Sequence, residues 1–185
     1  MTTVETVLNR SNRTVNIFVL HNSAPVAAGM HSDIHVTKMT LESAQILATV
    51  HHLHGHGDAV KYKPTHANHP CVKWAAASRA NYRWLWQLGI SLARQYRQRF
   101  KREHACERLF LGELRDAPPA LTFAAPTPFA QAMPEELRGD DAVEAYRRYY
   151  QQKTDRNPWM RWDRSCFTPY WIKIPNRNND LAQAS

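Results

Sequence analysis

The longest continuous helical pattern in the chain runs from Pro70 to about Arg102, and any fold must accommodate it. Small and apolar residues recur at spacings of three and four, which places them on one helix face: Trp74, Ala77, Asn81, Leu85, Leu88 and Leu92. The opposite side carries Trp86, Ile90 and a row of cations, Arg79, Arg83, Arg94, Arg97 and Lys101. The pattern predicts a long helix with an apolar back and a basic, partly aromatic front. Gly89 is the residue within it that weakens the helical pattern.

Shorter helices are predicted on both sides of this segment. Ser23 as a cap with Pro25 in the first turn predicts a helix start, and a second helix should run from Ser32 or Asp33 to about His54. Further helices are expected over 104–115 and 140–153, separated by a loop with five prolines over 117–134. The apolar run 15–20 is either one buried strand or the first segment that enters the core.

These elements predict a mainly α, single compact helical domain over 15–175, with or without one short N-terminal strand. A flexible arm is expected over 1–14 and a polar tail over 176–185. The length of 185 residues is typical of one domain, and 43% hydrophobic residues suffice for a core. No apolar run reaches the roughly 18 residues of a membrane span. Three widely spaced cysteines do not form a disulfide framework. We therefore expect an intracellular protein with no membrane partner, and a monomer in preference to an oligomer.

The net charge of +8 comes from one acid-free segment. Between Ala59 and Arg102 there are ten Lys and Arg and no Asp or Glu, and the remaining residues hold 14 basic and 16 acidic side chains. A single-sign block of this kind is typical of a surface that binds a polyanion. The alternatives are an ordinary solvated helix face or an anionic membrane surface. We favour nucleic acid, and double-stranded DNA as the partner.

The second predicted helix carries a candidate catalytic group. His35, Lys38 and Glu42 lie three and four residues apart, on one face. A carboxylate beside an amine is suited to proton transfer or to imine chemistry at a sugar or base. The alternative is a surface Lys38–Glu42 pair worth about 0.3 kcal/mol, with His35 only packing.

The loop before Pro70 is a candidate phosphate site. Lys61, Lys63, His66 and His69 surround a predicted helix N-terminus, whose N–H groups bind anions, and Lys73 follows in the first turn. A plain loop is the alternative. Cys71 is either a nucleophile beside His69 or a buried small side chain, and the second is the commoner case. The histidines between His51 and His56 match no usual zinc spacing, so neither a metal nor another cofactor is predicted.

Near the end of the chain, Trp159 and Arg161 combine an aromatic ring with a cation, as in side chains that stack on bases, although core packing is the alternative. Walker, dinucleotide-binding and zincin motifs are absent from the sequence. Several segments together resemble the phage pyrimidine-dimer DNA glycosylases of the endonuclease V type and their phage-encoded relatives. The matches are Asn16-Ile17, then Asp33-Ile-His35 with Glu42 seven residues later, the segment 133–140 that includes Arg138, and Trp159-Met-Arg161-Trp162.

The resemblance implies a helical fold that grips duplex DNA, bends it and exposes a pyrimidine for base excision, as a glycosylase and AP lyase. Glu42 would be the acid/base residue, while Arg138 and the basic side of the long helix would hold phosphates. Asn81, in a segment that resembles the more distant phage relatives, would also contact DNA. In the family the nucleophile is an N-terminal amine just before the segment that matches Asn16. Here fourteen residues precede Val15, so Lys38 is the second candidate, and Leu41 and Gln45 replace two arginines that flank the family's Glu.

Two other functions stay open. One is a phage DNA-modification enzyme that acts on hydroxymethyluracil or a hypermodified thymine without cutting the strand. The other is a non-catalytic DNA-binding protein. All three hypotheses share a steep dependence of affinity on salt.

Overall fold

The computed structural model describes residues 15–174, so the predicted arm 1–14 and tail 176–185 lie outside the described residues. Within this range the chain forms helices and no strand, which confirms the mainly α class. Two short 3₁₀ turns lie at Gly57–Ala59 and Glu135–Leu137. The six α-helices are α1 (Ala24–Met30), α2 (Asp33–Leu53), α3 (Pro70–Ala75), α4 (Arg79–Phe100), α5 (Glu107–Leu111) and α6 (Ala142–Arg156). None of these helices has the length and apolar character needed to cross a membrane.

Helix α2 lies at the centre of the fold. It packs against α4 over much of its length, and α3 and the turn after Gly57 also contact it. Thirteen of its 21 residues are buried, and they include polar ones such as Thr40, Ser43 and Thr49. A helix that is buried on several sides places polar side chains inside the protein, where each needs a partner. This position brings Glu42 into the interior.

The starts of α1 and α2 agree with the sequence signals. Ser23 occupies the N-cap position of α1 with Pro25 in the first turn, and Ser32 precedes α2. Both predicted helix starts are confirmed, but neither serine side chain forms a capping hydrogen bond. At α1 the signal is the proline, which already has the helical φ and whose missing N–H is not needed in the first turn.

The predicted long helix is interrupted, and the break is not at Gly89. Helix α3 ends at Ala75, and α4 starts after Ser78, whose side chain accepts a hydrogen bond from the Asn81 N–H. Ala77 lies in the turn and is exposed, so its predicted place on the apolar face is wrong. Gly89 stays within α4, where the Phe110 ring packs so close that a Cβ atom would lie 2.3 Å from it.

The predicted aromatic part of the basic front is also wrong. Ile90 is buried, and Trp86 is half-buried with its indole N–H donating to the Phe110 carbonyl. Helix α5 therefore covers this side of α4. The predicted helix over 104–115 is shorter than expected, because only Glu107–Leu111 is α-helical.

The segment 15–20 is irregular but completely buried, so it is the core-entering segment and not a strand. Asn16 holds its shape: the side-chain oxygen accepts from the N–H groups of Ile17 (2.7 Å) and Phe18 (3.1 Å). The Asn16 side-chain amide donates to the Ala132 carbonyl at 2.8 Å. Phe18 has a left-handed backbone with φ of 30°, which is uncommon for a bulky residue and indicates a strongly constrained turn.

One cation of the acid-free segment belongs to the core. Arg99 is 4% exposed, and its guanidinium donates to the carbonyls of His31 (2.7 Å) and Gly29 (2.9 Å) at the end of α1. It also forms an ion pair with Asp33 at 3.1 Å. These bonds join α4 to the α1–α2 connection, so this positive charge is not available to a partner.

We expect Gly89→Ala to lower the free energy of unfolding by about 1–3 kcal/mol, because the methyl group overlaps the Phe110 ring. This cost opposes the gain of about 1 kcal/mol that alanine gives over glycine in a helix interior. Denaturant unfolding measures the change. In a Phe110→Leu background, where the ring is gone, the cost of Gly89→Ala should shrink. Stabilisation by Gly89→Ala in the native background would contradict the close packing.

Candidate active site

Glu42 is a buried carboxylate with fixed partners. Its side chain is in a residue only 6% exposed, and Oε2 accepts a hydrogen bond from the Asn16 backbone N–H at 2.9 Å. The Lys38 ammonium lies 3.4 Å from Oε1, one helical turn earlier on α2. Lys38 is half exposed while Glu42 is not, so this is more than a pair on a solvated surface. The predicted proximity of the amine and the carboxyl is confirmed.

Burial raises the pKa of Glu42 above its ordinary value of 4.5, because removal from water disfavours the ionised form. The Lys38 charge, the Asn16 N–H, the Lys38 hydrogen bond and the charge of His66 act in the opposite direction, but burial prevails. A carboxyl with this balance takes up a proton more readily than a surface carboxyl. Such groups concentrate at functional sites.

Glu42 and Lys38 line a cavity of about 520 Å³. The other wall residues come from α2, from the start of the core-entering segment and from the loop before α3: Val15, Leu41, Gln45, Thr65 and His66. Thr49 fixes the loop, since its hydroxyl oxygen accepts a hydrogen bond from the Thr65 N–H at 3.0 Å. The one proton of this hydroxyl lies within reach of two carbonyls, Gln45 at 2.7 Å and Thr65 at 3.1 Å. The cavity therefore joins three segments that are far apart in sequence.

His66 is the residue of the predicted phosphate loop that reaches this cavity. Its backbone is left-handed, with φ of 52°, and its Nδ1 lies 2.6 Å from the Thr65 hydroxyl. Lys61 and Lys63 precede it in the same loop with exposed side chains. The loop thus brings one imidazole to the cavity and two cations to the nearby surface.

His69 was predicted to surround a phosphate at the start of the next helix, but in the structure its side chain caps that helix. The His69 Nδ1 accepts a hydrogen bond from the Cys71 N–H at 3.2 Å, so the imidazole caps α3 and its pKa is lowered, chiefly by burial. Helix α3 has only six residues, which is too short for a substantial dipole. Lys73 is exposed on this helix. The His69 side chain therefore stabilises the first turn of α3.

His35 faces a second cavity, of about 430 Å³, and not the first. Its ring stacks on Phe18 with centroids 5.0 Å apart, and it is 7% exposed. Burial lowers the pKa of His35 well below its ordinary value, and the charges of His31, Lys38 and Lys153 add to this effect. The imidazole is therefore neutral at physiological pH. Lys38 lines both cavities, so it connects His35 to Glu42.

The basic face of α4 is not brought to either cavity. The Arg79 guanidinium donates to the Leu121 carbonyl at 2.8 Å and to the Pro119 carbonyl at 2.7 Å. Arg97 forms ion pairs with acids just outside the acid-free segment, Glu103 at 3.2 Å and Glu107 at 2.7 Å. On this face of α4, the exposed cations that form no ion pair with a described residue are Arg83, Arg94 and Lys101.

Asn81 does not fit the predicted contact with DNA. It is fully buried, and its amide donates to the Trp74 carbonyl at 2.8 Å and to the Thr127 hydroxyl at 2.7 Å. Its side-chain oxygen accepts from the Thr127 N–H at 3.0 Å. All of these partners belong to the protein, so Asn81 joins the α3–α4 turn to the proline-rich loop.

The aromatic C-terminal part divides into a buried and an exposed side chain. Trp162 packs in the core and donates to the Met30 carbonyl at 2.9 Å, whereas Trp159 is 72% exposed. Arg161 is exposed and lies 3.6 Å from Asp163. Arg138 is also exposed, with its Nε donating to the Met133 carbonyl at 3.2 Å. Trp159 is therefore the ring of this pair that a base could reach.

Two further cations lie at the second cavity and could not be predicted from the sequence. Lys153 and Arg156 lie on α6 and line that cavity together with Tyr149. Their spacing places them on one helix side, but only the packing of α6 brings that side to α2. No local signal identifies them.

Within residues 15–174 no group of three or more His, Cys, Asp or Glu side chains is placed to hold a metal ion. The histidines near the end of α2 have other partners: His51 Nε2 lies 2.9 Å from the Tyr82 hydroxyl, and His52 Nε2 lies 2.9 Å from the Tyr62 carbonyl. These contacts give both imidazoles a role in packing.

Comparison of the chain with protein-family models, curated proteins and solved structures finds no match. The chemistry of the two cavities therefore carries the functional interpretation.

We expect Glu42→Gln to be more stable than the native chain at neutral pH. The pKa of Glu42 is 4.5 in the unfolded chain and higher in the folded protein. At a pH between these two pKa values the folded protein binds more protons than the unfolded chain, so native stability falls as pH rises through this window. Glutamine keeps an acceptor for the Asn16 N–H and carries no charge to bury. Thermal unfolding of both proteins between about pH 4 and pH 8 measures the difference, which should grow with pH.

Glu136→Gln, at an exposed carboxyl, controls for the loss of one negative charge. Destabilisation by Glu42→Gln at neutral pH would instead indicate that the Lys38–Glu42 ion pair is a net stabilising contact.

Of the three cysteines, only Cys166 should react rapidly with a thiol reagent in the native protein. Cys71 and Cys106 are buried, and burial raises the pKa of Cys71 to about 12, so its thiolate is scarce. Mass spectrometry after brief exposure to iodoacetamide should show one adduct, and all three after denaturation. Fast labelling of Cys71 in the folded protein would restore the nucleophile hypothesis.

Proposed function

We propose that this protein is a DNA-acting enzyme that engages a pyrimidine base in duplex DNA, with the Glu42 cavity as its active site. The observation that carries the proposal is a buried carboxyl of raised pKa that shares a cavity with an amine 3.4 Å away. The volume of about 520 Å³ falls within the range of small-molecule sites, about 300–1,000 Å³. A base reaches such a cavity only after it leaves the helical stack.

The surroundings of the cavity favour a polyanionic substrate. Lys61 and Lys63 extend from the loop that supplies Thr65 and His66, and both side chains are exposed. Exposed cations of this kind contact phosphates and release counterions when DNA binds. Trp159 and Arg161 add an exposed ring and a cation of the kind that stacks on bases.

The chemistry resembles that of a glycosylase and AP lyase. Ionised Glu42 would take a proton from the Lys38 ammonium, and the neutral amine would then attack C1′ of the nucleotide. The C1′–N bond breaks, its electron pair leaves with the base, and a proton from Glu42 neutralises the departing base. The nitrogen bound to C1′ then gives up a proton, and the sugar ring opens: the C1′–O4′ bond breaks, its electron pair stays on O4′, and O4′ takes up the proton. A protonated imine between C1′ and Lys38 remains. The N-terminal amine is the other candidate nucleophile.

Sodium borohydride, which reduces an imine to a stable bond, tests this chemistry on ultraviolet-damaged, abasic and hydroxymethyluracil duplexes. We expect a covalent complex with the native protein, and none with Lys38→Arg, whose guanidinium does not form the imine. Lys73→Arg, at an exposed lysine outside the cavity, is the matched control and should still crosslink. A chain with an acetylated N-terminus separates the two amines. Crosslinking that survives the loss of both amines would refute the mechanism.

Glu42→Gln should lower base release by about 100-fold or more, the usual contribution of general acid–base catalysis, while DNA affinity stays within about twofold. Gel retardation at two salt concentrations measures the affinity, which should fall steeply as salt rises. Binding without base release, together with an altered nucleoside mass profile, would favour the DNA-modification alternative. Binding that is unaffected by salt would contradict a nucleic-acid partner.

A further inference from the structure

The second cavity has an unusual charge pattern. It lies between α2 and α6, has a volume of about 430 Å³, and adjoins the Glu42 cavity through the shared side chain of Lys38. Three of its wall residues are cations, Lys38, Lys153 and Arg156, and no Asp or Glu lines it. A concave surface of this composition is complementary to an anion.

The charges on α6 have no counterion among the described residues. No ion pair there involves Lys153 or Arg156, and the neighbouring Asp155 accepts a hydrogen bond from Gln151 at 2.8 Å and lines a different surface depression. Lys38 is the one cation of the cavity with an acidic partner, Glu42. The cavity therefore holds more positive charge than the protein itself balances.

Aromatic rings hold Lys153 at the cavity. Its ammonium lies 4.7 Å from the centroid of the Tyr149 ring and 5.8 Å from that of Phe18. These rings exclude water on one side of the ammonium, which strengthens its attraction for an anion.

His35 is an imidazole in the same wall. Its ring is more than nine-tenths buried, and burial lowers its pKa well below the ordinary value, so it adds no positive charge to the cavity. The attraction of the cavity for an anion therefore rests on its three cations.

We propose that the second cavity binds a phosphate group through Lys153 and Arg156, with Lys38 between that phosphate and Glu42. The ligand would then place its phosphate in the second cavity and its reacting part in the first. This inference deepens the proposed function. One source of the phosphate is the DNA backbone beside the engaged nucleotide, and for that source the inference rests on the proposed function. The other source is a free phosphorylated co-substrate.

Pyrophosphate is the probe for the shared chemistry. Calorimetric titration of the full chain at low salt should show binding that Lys153→Gln/Arg156→Gln weakens by at least about tenfold, because charge-assisted hydrogen bonds are lost. Arg108→Gln/Arg115→Gln removes two exposed charges outside the cavity and is the matched control, with less than about a twofold effect. The charge-conserving Lys153→Arg/Arg156→Lys variant should restore most of the affinity.

Equal weakening by both double variants would show that only net charge matters, and would overturn the proposal. So would undetectable binding of pyrophosphate and of every duplex, or full affinity in the Lys153→Gln/Arg156→Gln variant. Circular dichroism verifies that each variant is folded.

Two further arms identify the source of the phosphate. If it belongs to DNA, a duplex should compete with pyrophosphate, and Lys153→Gln/Arg156→Gln should lose duplex affinity as well. If it belongs to a free co-substrate, pyrophosphate should still bind in the presence of saturating duplex. Glu42→Gln should retain or increase pyrophosphate affinity in either case, because it removes the acidic partner of Lys38. Absence of base release by the native protein would refute the proposed chemistry, and pyrophosphate binding that depends on Lys153 and Arg156 would leave the phosphate site standing.

Discussion

The hydrogen bond from the Asn16 N–H to Glu42 is the contact on which both cavities depend. A buried segment without a strand partner needs other acceptors for its N–H groups. In segment 15–20 the Glu42 carboxylate accepts from Asn16, and the Asn16 side chain accepts from Ile17 and Phe18. The same turn directs the Phe18 ring onto His35. The turn at residues 16–18 thus contacts both the Glu42 carboxyl of the first cavity and the His35 imidazole of the second.

The helical architecture could be predicted because its signals are local. Caps and proline positions located α1, and the pattern from Ser32 to His54 matched α2 closely. The break between α3 and α4 was missed because the apolar spacing continues across it, although Ser78 is a capping residue in the sequence. Gly89 was instead identified as the weak point of the helix, and only the position of the Phe110 ring explains why a glycine is present there.

The site could be predicted only in part, for the same reason. Lys38 and Glu42 lie one turn apart on α2, so their spacing was sufficient to relate them, whereas His35 on the same helix lines the other cavity. The charge of the acid-free segment was a weaker guide, because folding uses Arg99 for helix joining and Arg79 for loop carbonyls. Conversely, Lys153 lies near α2 only because α6 packs there, and a sequence pattern does not indicate which helices lie close together.

The shared position of Lys38 has a consequence for how the two cavities act together. Its ammonium offsets part of the cost of ionising Glu42, and it also lines the wall where an anion is proposed to bind. An anion that drew the ammonium away would make the carboxyl easier to protonate, and protonation of the carboxyl would in turn free the ammonium for the anion. Thermodynamic linkage requires the two effects to be equal in size. Through the Lys38 ammonium, proton uptake by Glu42 in the first cavity would thus depend on whether an anion occupies the second.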